Sequence, residues 1–238
     1  MIPGLLIVGT DTGVGKSSVA VSIIRSLVAD GRRVGALKPV ATGASLWGMS
    51  LYSEDADRMR SALGADVPLH RINPLLYAKP LAPSVAARME LRPLYVAELN
   101  RIVREALDWW SERVDLIIVE GIGGILCPLT ETTTAADLAV KIDFPLIVVA
   151  RRALGTLNHT LLTIEAARAR DLRLAGIVLN SAEPEPEGLA EGTNAMELAC
   201  RLPGVAILAE VHYGEEETLG TQINAVDWFK MARRSRML

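Results

Sequence analysis

Aromatic side chains are scarce in this sequence: two Phe, four Trp and four Tyr among 238 residues. A core must therefore be built from Val, Leu, Ile and Ala, the composition of a parallel sheet buried beneath helices. Charge is nearly balanced, with 25 Lys and Arg against 28 Asp and Glu and a formal net charge of -3. That balance excludes the basic footprint that general nucleic-acid binding requires. The one basic cluster, Lys230, Arg233, Arg234 and Arg236, reads as a solvated helix end. The two cysteines, Cys127 and Cys200, stand far apart, in neither a metal-ligand nor a redox spacing, and read as reduced thiols of a cytoplasmic protein. His159 reads as a helix residue rather than a catalytic one, and His70 and His212 have no partners in sequence, so no metal cluster is implied. No apolar run approaches the ~20 residues needed to cross a bilayer. The apolar start, Met1 to Val8, carries no Lys or Arg and reads as a buried first strand rather than a signal peptide.

Half of the residues are hydrophobic, which excludes disorder and allows one sizeable core. The length suits a single α/β domain over 1–238. Apolar runs at Leu5–Val8, Val34–Lys38, Leu116–Glu120, Leu146–Ala150, Leu174–Asn180 and Val205–Leu208 read as strands. Helical patterns fall at Ser17–Ala29, Leu94–Glu112, Thr134–Ile142, Leu157–Arg170, Met196–Leu202 and Val226–Arg233. Between Pro39 and Pro93 the chain is rich in proline and reads as loops with two short helices, Glu54–Leu63 and Pro83–Met89. This alternation predicts a doubly wound α/β fold, mostly parallel, with helices on both faces. Ligands of such sheets sit outside the carboxyl ends of the strands, and the residues found there carry the candidate chemistry.

Gly9-Thr10-Asp11-Thr12-Gly13-Val14-Gly15-Lys16-Ser17, set between a strand and a helix, is a phosphate-binding loop of the P-loop NTPase type. Its backbone N–H groups and the helix N-terminus point at phosphates, and glycine permits close approach. Lys16 can reach the β- and γ-phosphates, and the Ser17 hydroxyl can ligate Mg²⁺. The spacing is one residue off the usual pattern, with Gly9 standing just before the position expected for the first glycine. Glu120 ends an apolar strand, where a carboxylate either caps the turn or joins a Mg²⁺ shell. Asp55 and Asp57 open a helix, and spacing does not choose between them as metal ligand or dipole partner. Lys38, at the end of the second strand, brings a second cation toward the γ-phosphate. Removing Lys16 or Lys38 is expected to cost turnover far more than stability. Leu154-Gly155-Thr156-Leu157-Asn158-His159 opens a helix that either holds a carboxylate or is simply capped.

These segments, with Lys38-Pro39-Val40-Ala41-Thr42-Gly43, Pro80-Leu81-Ala82-Pro83-Ser84, Val119-Glu120-Gly121-Ile122-Gly123-Gly124 and Gly176-Ile177-Val178-Leu179-Asn180, together resemble the dethiobiotin synthetase family of biotin biosynthesis. The longer phosphate loop is itself a feature of that family. The resemblance implies an ATP- and Mg²⁺-dependent closure of a cyclic urea on 7,8-diaminononanoate with CO₂, through a carbamate and a carbamic-phosphoric anhydride. It further implies that Ser17, Asp55 and Glu120 hold Mg²⁺. Thr10 to Ser18, with Glu120 and Asn180, contact the nucleotide, Asn180 through the base. Thr12, Thr42, Gly123, Gly124, Leu154 and Asn158 border the diamine. On the same resemblance, Leu154 and Asn158 would come from the partner of a cytoplasmic homodimer with shared active sites. No nucleic acid or membrane is implied. After the last strand the run Leu208-Ala209-Glu210-Val211-His212-Tyr213-Gly214, followed by Glu215-Glu216-Glu217, departs from the family's Leu-Gly-x-Ile-Pro and leaves the base contacts open. Two alternatives share the fold, an amidoligase-like synthetase and a partitioning-type ATPase. The first usually carries a glutaminase domain and the second a further lysine early in the loop, where Thr10 to Thr12 stand here.

Overall fold

The computed structural model describes residues 2–48, 50–182, 184, 189–213 and 222–233, with the side chains of 189–191 outside the description. Gly214, Glu215 to Glu217, Arg234 and Arg236 lie outside the described residues.

The first βαβ unit is β1 (Gly4–Gly9), α1 (Lys16–Ala29) and β2 (Val34–Leu37). Two short pairs follow: β3 (Val40–Thr42) lies parallel to β6 (Leu75–Tyr77), and β4 (Ser45–Trp47) and β5 (Ser50–Tyr52) form an antiparallel hairpin. Among them run α2 (Glu54–Leu63) and α3 (Leu69–Ile72), and then α4 (Pro83–Met89) and α5 (Val96–Ser111). The alternation resumes with β7 (Leu116–Gly124), α6 (Ala135–Ile142), β8 (Leu146–Arg151), α7 (Thr156–Arg168) and β9 (Leu174–Asn180). It ends with α8 (Leu189–Arg201), β10 (Ile207–Val211) and α9 (Trp228–Ala232).

The main sheet has six strands in the order β10-β9-β8-β1-β7-β2, every neighbouring pair parallel. Leu5, Ile7, Ile117, Ile118, Val148 and Ile177 are fully buried, as expected of strands covered on both sides. The connection after β1 travels toward β2, while those after β7, β8 and β9 travel the other way. Right-handed crossovers therefore put α1 on one face and α6, α7 and α8 on the opposite one. The crevice this reversal opens lies at the carboxyl end of β1, where the phosphate loop begins.

The expected doubly wound architecture is the observed one, and the differences are local. β7 continues past Glu120 because Gly121 to Gly124 stay alongside β1, with Gly124 opposite Gly9 after a register shift. β10 runs later than expected, over Ile207–Val211, and α8 begins earlier, at Leu189. Besides the two short helices expected there, the Pro39–Pro93 region carries a third, α3, and two small sheets. Their three-residue strands are too short to display an alternation.

Candidate functional site

β1 delivers the chain into the phosphate loop, and Gly13 (φ 73°) and Gly15 (φ 91°) take left-handed conformations that let it wrap back onto α1. A Cβ at Gly15 would stand 2.1 Å from Asn180 Nδ2. Asn180, buried at the end of β9, donates from that amide to Val14 O at 3.0 Å and so supports the loop from below. Lys16 Nζ donates to Asp11 O at 2.9 Å. Burial pulls the Lys16 ammonium below its ordinary value; Glu120 opposes the shift and Lys38 adds to it.

Beside the loop, β2 ends at Lys38. Its main chain is pinned on both sides: Lys38 N–H bonds to Ile72 O at 2.7 Å, and Asn73 Nδ2 donates to Lys38 O at 2.7 Å. The Lys38 ammonium bridges two carboxylates, Asp55 and Glu120, the latter at 3.0 Å from Nζ. Glu120 Oε1 also accepts from Ser17 Oγ at 2.7 Å. α2 carries Asp55 into this group because its N-cap, Ser53, accepts from Ala56 N–H at 3.3 Å and fixes the first turn. Asp57 instead pairs with Arg60. The geometry thus separates the two acids that spacing left open. Burial alone would lower the Lys38 ammonium, but Glu120 and Asp55 outweigh it and hold the group above its usual value. Burial likewise pushes Asp55 up, and the Lys38 charge and hydrogen bonds overcome it, leaving the carboxyl below its usual value.

Ser17, Asp55 and Glu120 form an all-oxygen donor set of two carboxylates and a hydroxyl. Glu120 is 1% exposed, and its Oε2 is buried with no hydrogen-bond partner. Such a set fits a hard cation that takes its remaining ligands from phosphate and water. Among the described residues no group of three or more His, Cys, Asp and Glu converges, which sets this apart from an all-protein metal cage.

These residues line one open cleft of about 660 Å³, together with Thr12, Gly13, Gly15, Ser18, Thr42, Gly123, Arg58, Cys127 and the Pro80–Pro83 segment. Thr42 stands on β3, and the side sheet positions it. Gly124 lies against the loop, where a Cβ would be 3.3 Å from Thr10 O. Leu154, 90% exposed, and Asn158, also exposed, do not line this cleft. Arg152 Nη1 donates to His212 Nδ1 at 2.9 Å and pairs with Glu210, tying β8 to β10 across the end of β9. Sequence reasoning passed over Arg58 and Cys127. Arg58 follows Asp55 by three residues, a helical spacing that could have placed it on the same face. Nothing in the spacing pointed to Cys127, a free thiol that burial pushes up and Lys16 pulls back.

An AAA domain family model matches residues 3–218. The ATP-dependent dethiobiotin synthetase BioD of Anaeromyxobacter dehalogenans (strain 2CP-C) is 45% identical over 196 residues, covering 82% of this chain and 84% of that protein. The protein of the same name from Thermodesulfovibrio yellowstonii is 36% identical, covering 82% of each chain. Among solved structures, a plasmid partition protein from Borrelia burgdorferi superposes with a TM-score of 0.58 at 12% identity, covering 97% of this chain and all of that one. The septum site-determining protein MinD of Pyrococcus horikoshii gives 0.52 at 17% identity, covering 98% and 95%. At such identities these two speak for the P-loop NTPase fold alone. With a cleft built on a phosphate loop, and relatives this similar over most of their length, the chain belongs to the ATP-dependent dethiobiotin synthetase family.

Proposed function

We propose that this chain uses ATP to close the urea ring of dethiobiotin on 7,8-diaminononanoate and CO₂, a step of biotin biosynthesis. The observation that carries the reading is the Lys38 ammonium held between Asp55 and Glu120 at the mouth of the phosphate loop. It keeps a cation where an anionic nucleophile has to meet an anionic phosphoryl group. In the proposed sequence one amine adds to CO₂ and loses a proton, giving a carbamate. A carbamate oxygen then attacks the γ-phosphorus, the bond to the β-phosphate oxygen breaks, and ADP leaves. The second amine attacks the carbonyl carbon of the anhydride and phosphate departs as the ring closes. Little of this is covalent work for the protein, so positioning and charge carry the catalysis.

Lys16 would hold the β- and γ-phosphates and Lys38 the transferring group. Thr10, Asp11, Gly13, Val14, Gly15 and Ser18 would cradle the phosphates, and Glu120 would share the metal. Thr12, Thr42, Gly123 and Gly124 would border the diamine. Mg²⁺, held by Ser17, Asp55 and Glu120, would neutralise phosphate charge when bound. Asn180 would keep the loop in shape with its Nδ2 and offer the rest of its amide to the base. Leu154 and Asn158, exposed and outside their own chain's cleft, suit a substrate-carboxylate site given to the partner of a homodimer. The partition-protein likeness does not favour a partitioning ATPase, since it holds at 12% identity while the synthetase likeness holds at 45%.

The test is to incubate the chain with the diamine, bicarbonate, Mg²⁺ and ATP, and to seek dethiobiotin by mass. Product that disappears when any one component is omitted is expected; ATP consumption without product would overturn the reading.

A further inference from the structure

The γ-phosphate end of the cleft is marked by Lys16, Ser17, Lys38, Asp55 and Glu120, and one further cation beside it, Arg58, makes no ion pair with that group, although its charge helps to hold the Asp55 carboxyl low. Arg58 leaves α2 three residues after Asp55, on the same face of the helix. Its Nη2 donates to Ser18 Oγ at 3.2 Å, and it lines the same cleft. The two lysines are engaged, Lys38 by two carboxylates and Lys16 by the Asp11 carbonyl. Among the described residues no carboxylate stands within ion-pair distance of Arg58, and the partner it has is a neutral hydroxyl. That hydroxyl belongs to the first turn of α1. Val19 N–H bonds back to Gly15 O at 3.1 Å, and the amides of Lys16, Ser17 and Ser18 before it are donors that a helix start leaves for a ligand. Ser17 Oγ donates to Glu120, whereas Ser18 Oγ accepts from Arg58, so the two neighbouring serines engage different sides of the cleft.

We infer that Arg58 is a nucleotide-binding residue that contacts the α- and β-phosphates from α2, across the Ser18 hydroxyl. The inference rests on the nucleotide reading of the cleft. A guanidinium suits this place because its planar fork meets phosphate oxygens two at a time. The fold does not need its charge. The buried side of α2 is made by Ala56, Met59, Ala62 and Leu63, and an exposed bond to a hydroxyl adds little to stability. Two functional groups, a carboxylate for the γ-phosphate end and a cation for the other, would thus be set by one capped helix.

Binding of ADP alone, by calorimetry with no diamine present, tests this. Arg58→Ala should weaken ADP and ATP alike by about tenfold, the scale of one charge-assisted contact at an open site. Arg58→Lys should fall between the two. The difference between Arg58→Ala and the unaltered chain should shrink as salt is raised, which a merely structural role would not produce. Absence of ADP binding by the unaltered chain would bring down the nucleotide reading and this inference with it. Intact binding with an unchanged Kd in a normally folded Arg58→Ala, or a deficit indifferent to salt, would bring down this inference alone.

Discussion

Replacing Lys38 by Met removes a cation that two carboxylates share, and the consequence reaches beyond catalysis. Lys38 is 5% exposed and Glu120 1%, while the Asp55 side chain is 39% exposed. Without the ammonium, Asp55 can return to water, but Glu120 is left with the Ser17 hydroxyl as its one remaining partner of the two. Breaking a buried ion pair by deleting one partner costs about 3–5 kcal/mol. Since one of the two acids rehydrates, the low end, about 3 kcal/mol, applies. At about 2–4 °C per kcal/mol for a chain of this size, Lys38→Met should melt roughly 6–12 °C lower. The expectation from sequence is that losing Lys38 lowers turnover far more than stability; the buried bridge gives the stability loss its size. The assay is thermal unfolding followed by circular dichroism, without nucleotide, on Lys38→Met, Glu120→Gln and the double variant. The double variant should recover part of the loss, because it no longer strands a buried charge. A single variant that melts with the unaltered protein, or a double variant whose loss is the sum of the singles, would refute the argument.

Glu120→Gln keeps the shape but loses the charge, so the Mg²⁺ concentration for half-maximal activity should rise on the order of tenfold; an unchanged Mg²⁺ titration would leave Glu120 no metal role. At the start of α6, Asp137 accepts from the N–H and the hydroxyl of Thr134, both at 2.7 Å, and these bonds hold its carboxyl below the ordinary value of 3.8. A lowered folded value stabilises above the unfolded one, so Asp137→Asn should cost about 1 kcal/mol at neutral pH. The difference should fade as pH falls below 3.8, and a pH-independent gap in melting temperature would contradict it. Lys16→Ala and Asn158→Trp, each inactive alone, should regain part of the activity when mixed and allowed to exchange subunits, because one site of each mixed dimer carries neither lesion. Exchange confirmed by mass without returning activity would show that the substrate carboxylate is held within one chain.

The main sheet was legible because its strands are apolar runs separated by helices of ordinary length, and the phosphate loop because one glycine-rich turn performs a task that few other sequences can. Lys38 and Glu120 were visible as the residues that end two adjacent strands, β2 and β7. What joins them was not visible: the bridge through Lys38 spans 82 residues to Glu120 and 17 to Asp55, and no local pattern encodes it. Asp55 and Asp57 looked equivalent until α2 turned one toward Lys38 and the other toward Arg60. Cys127 entered the cleft through packing alone, whereas the helical spacing of Arg58 from Asp55 was a signal present in the sequence. The hairpin of β4 and β5 escaped notice because Ser45–Trp47 and Ser50–Tyr52 are each too short to alternate twice.

If this cleft transfers the γ-phosphoryl group of ATP to a carbamate made from the diamine, as proposed, ADP release must be coupled to dethiobiotin, and that coupling is the direct measurement. With diamine, bicarbonate, Mg²⁺ and ATP supplied, ADP and dethiobiotin should appear in equal amounts, and leaving out the diamine should stop both. ADP released at the same rate without the diamine would contradict the account.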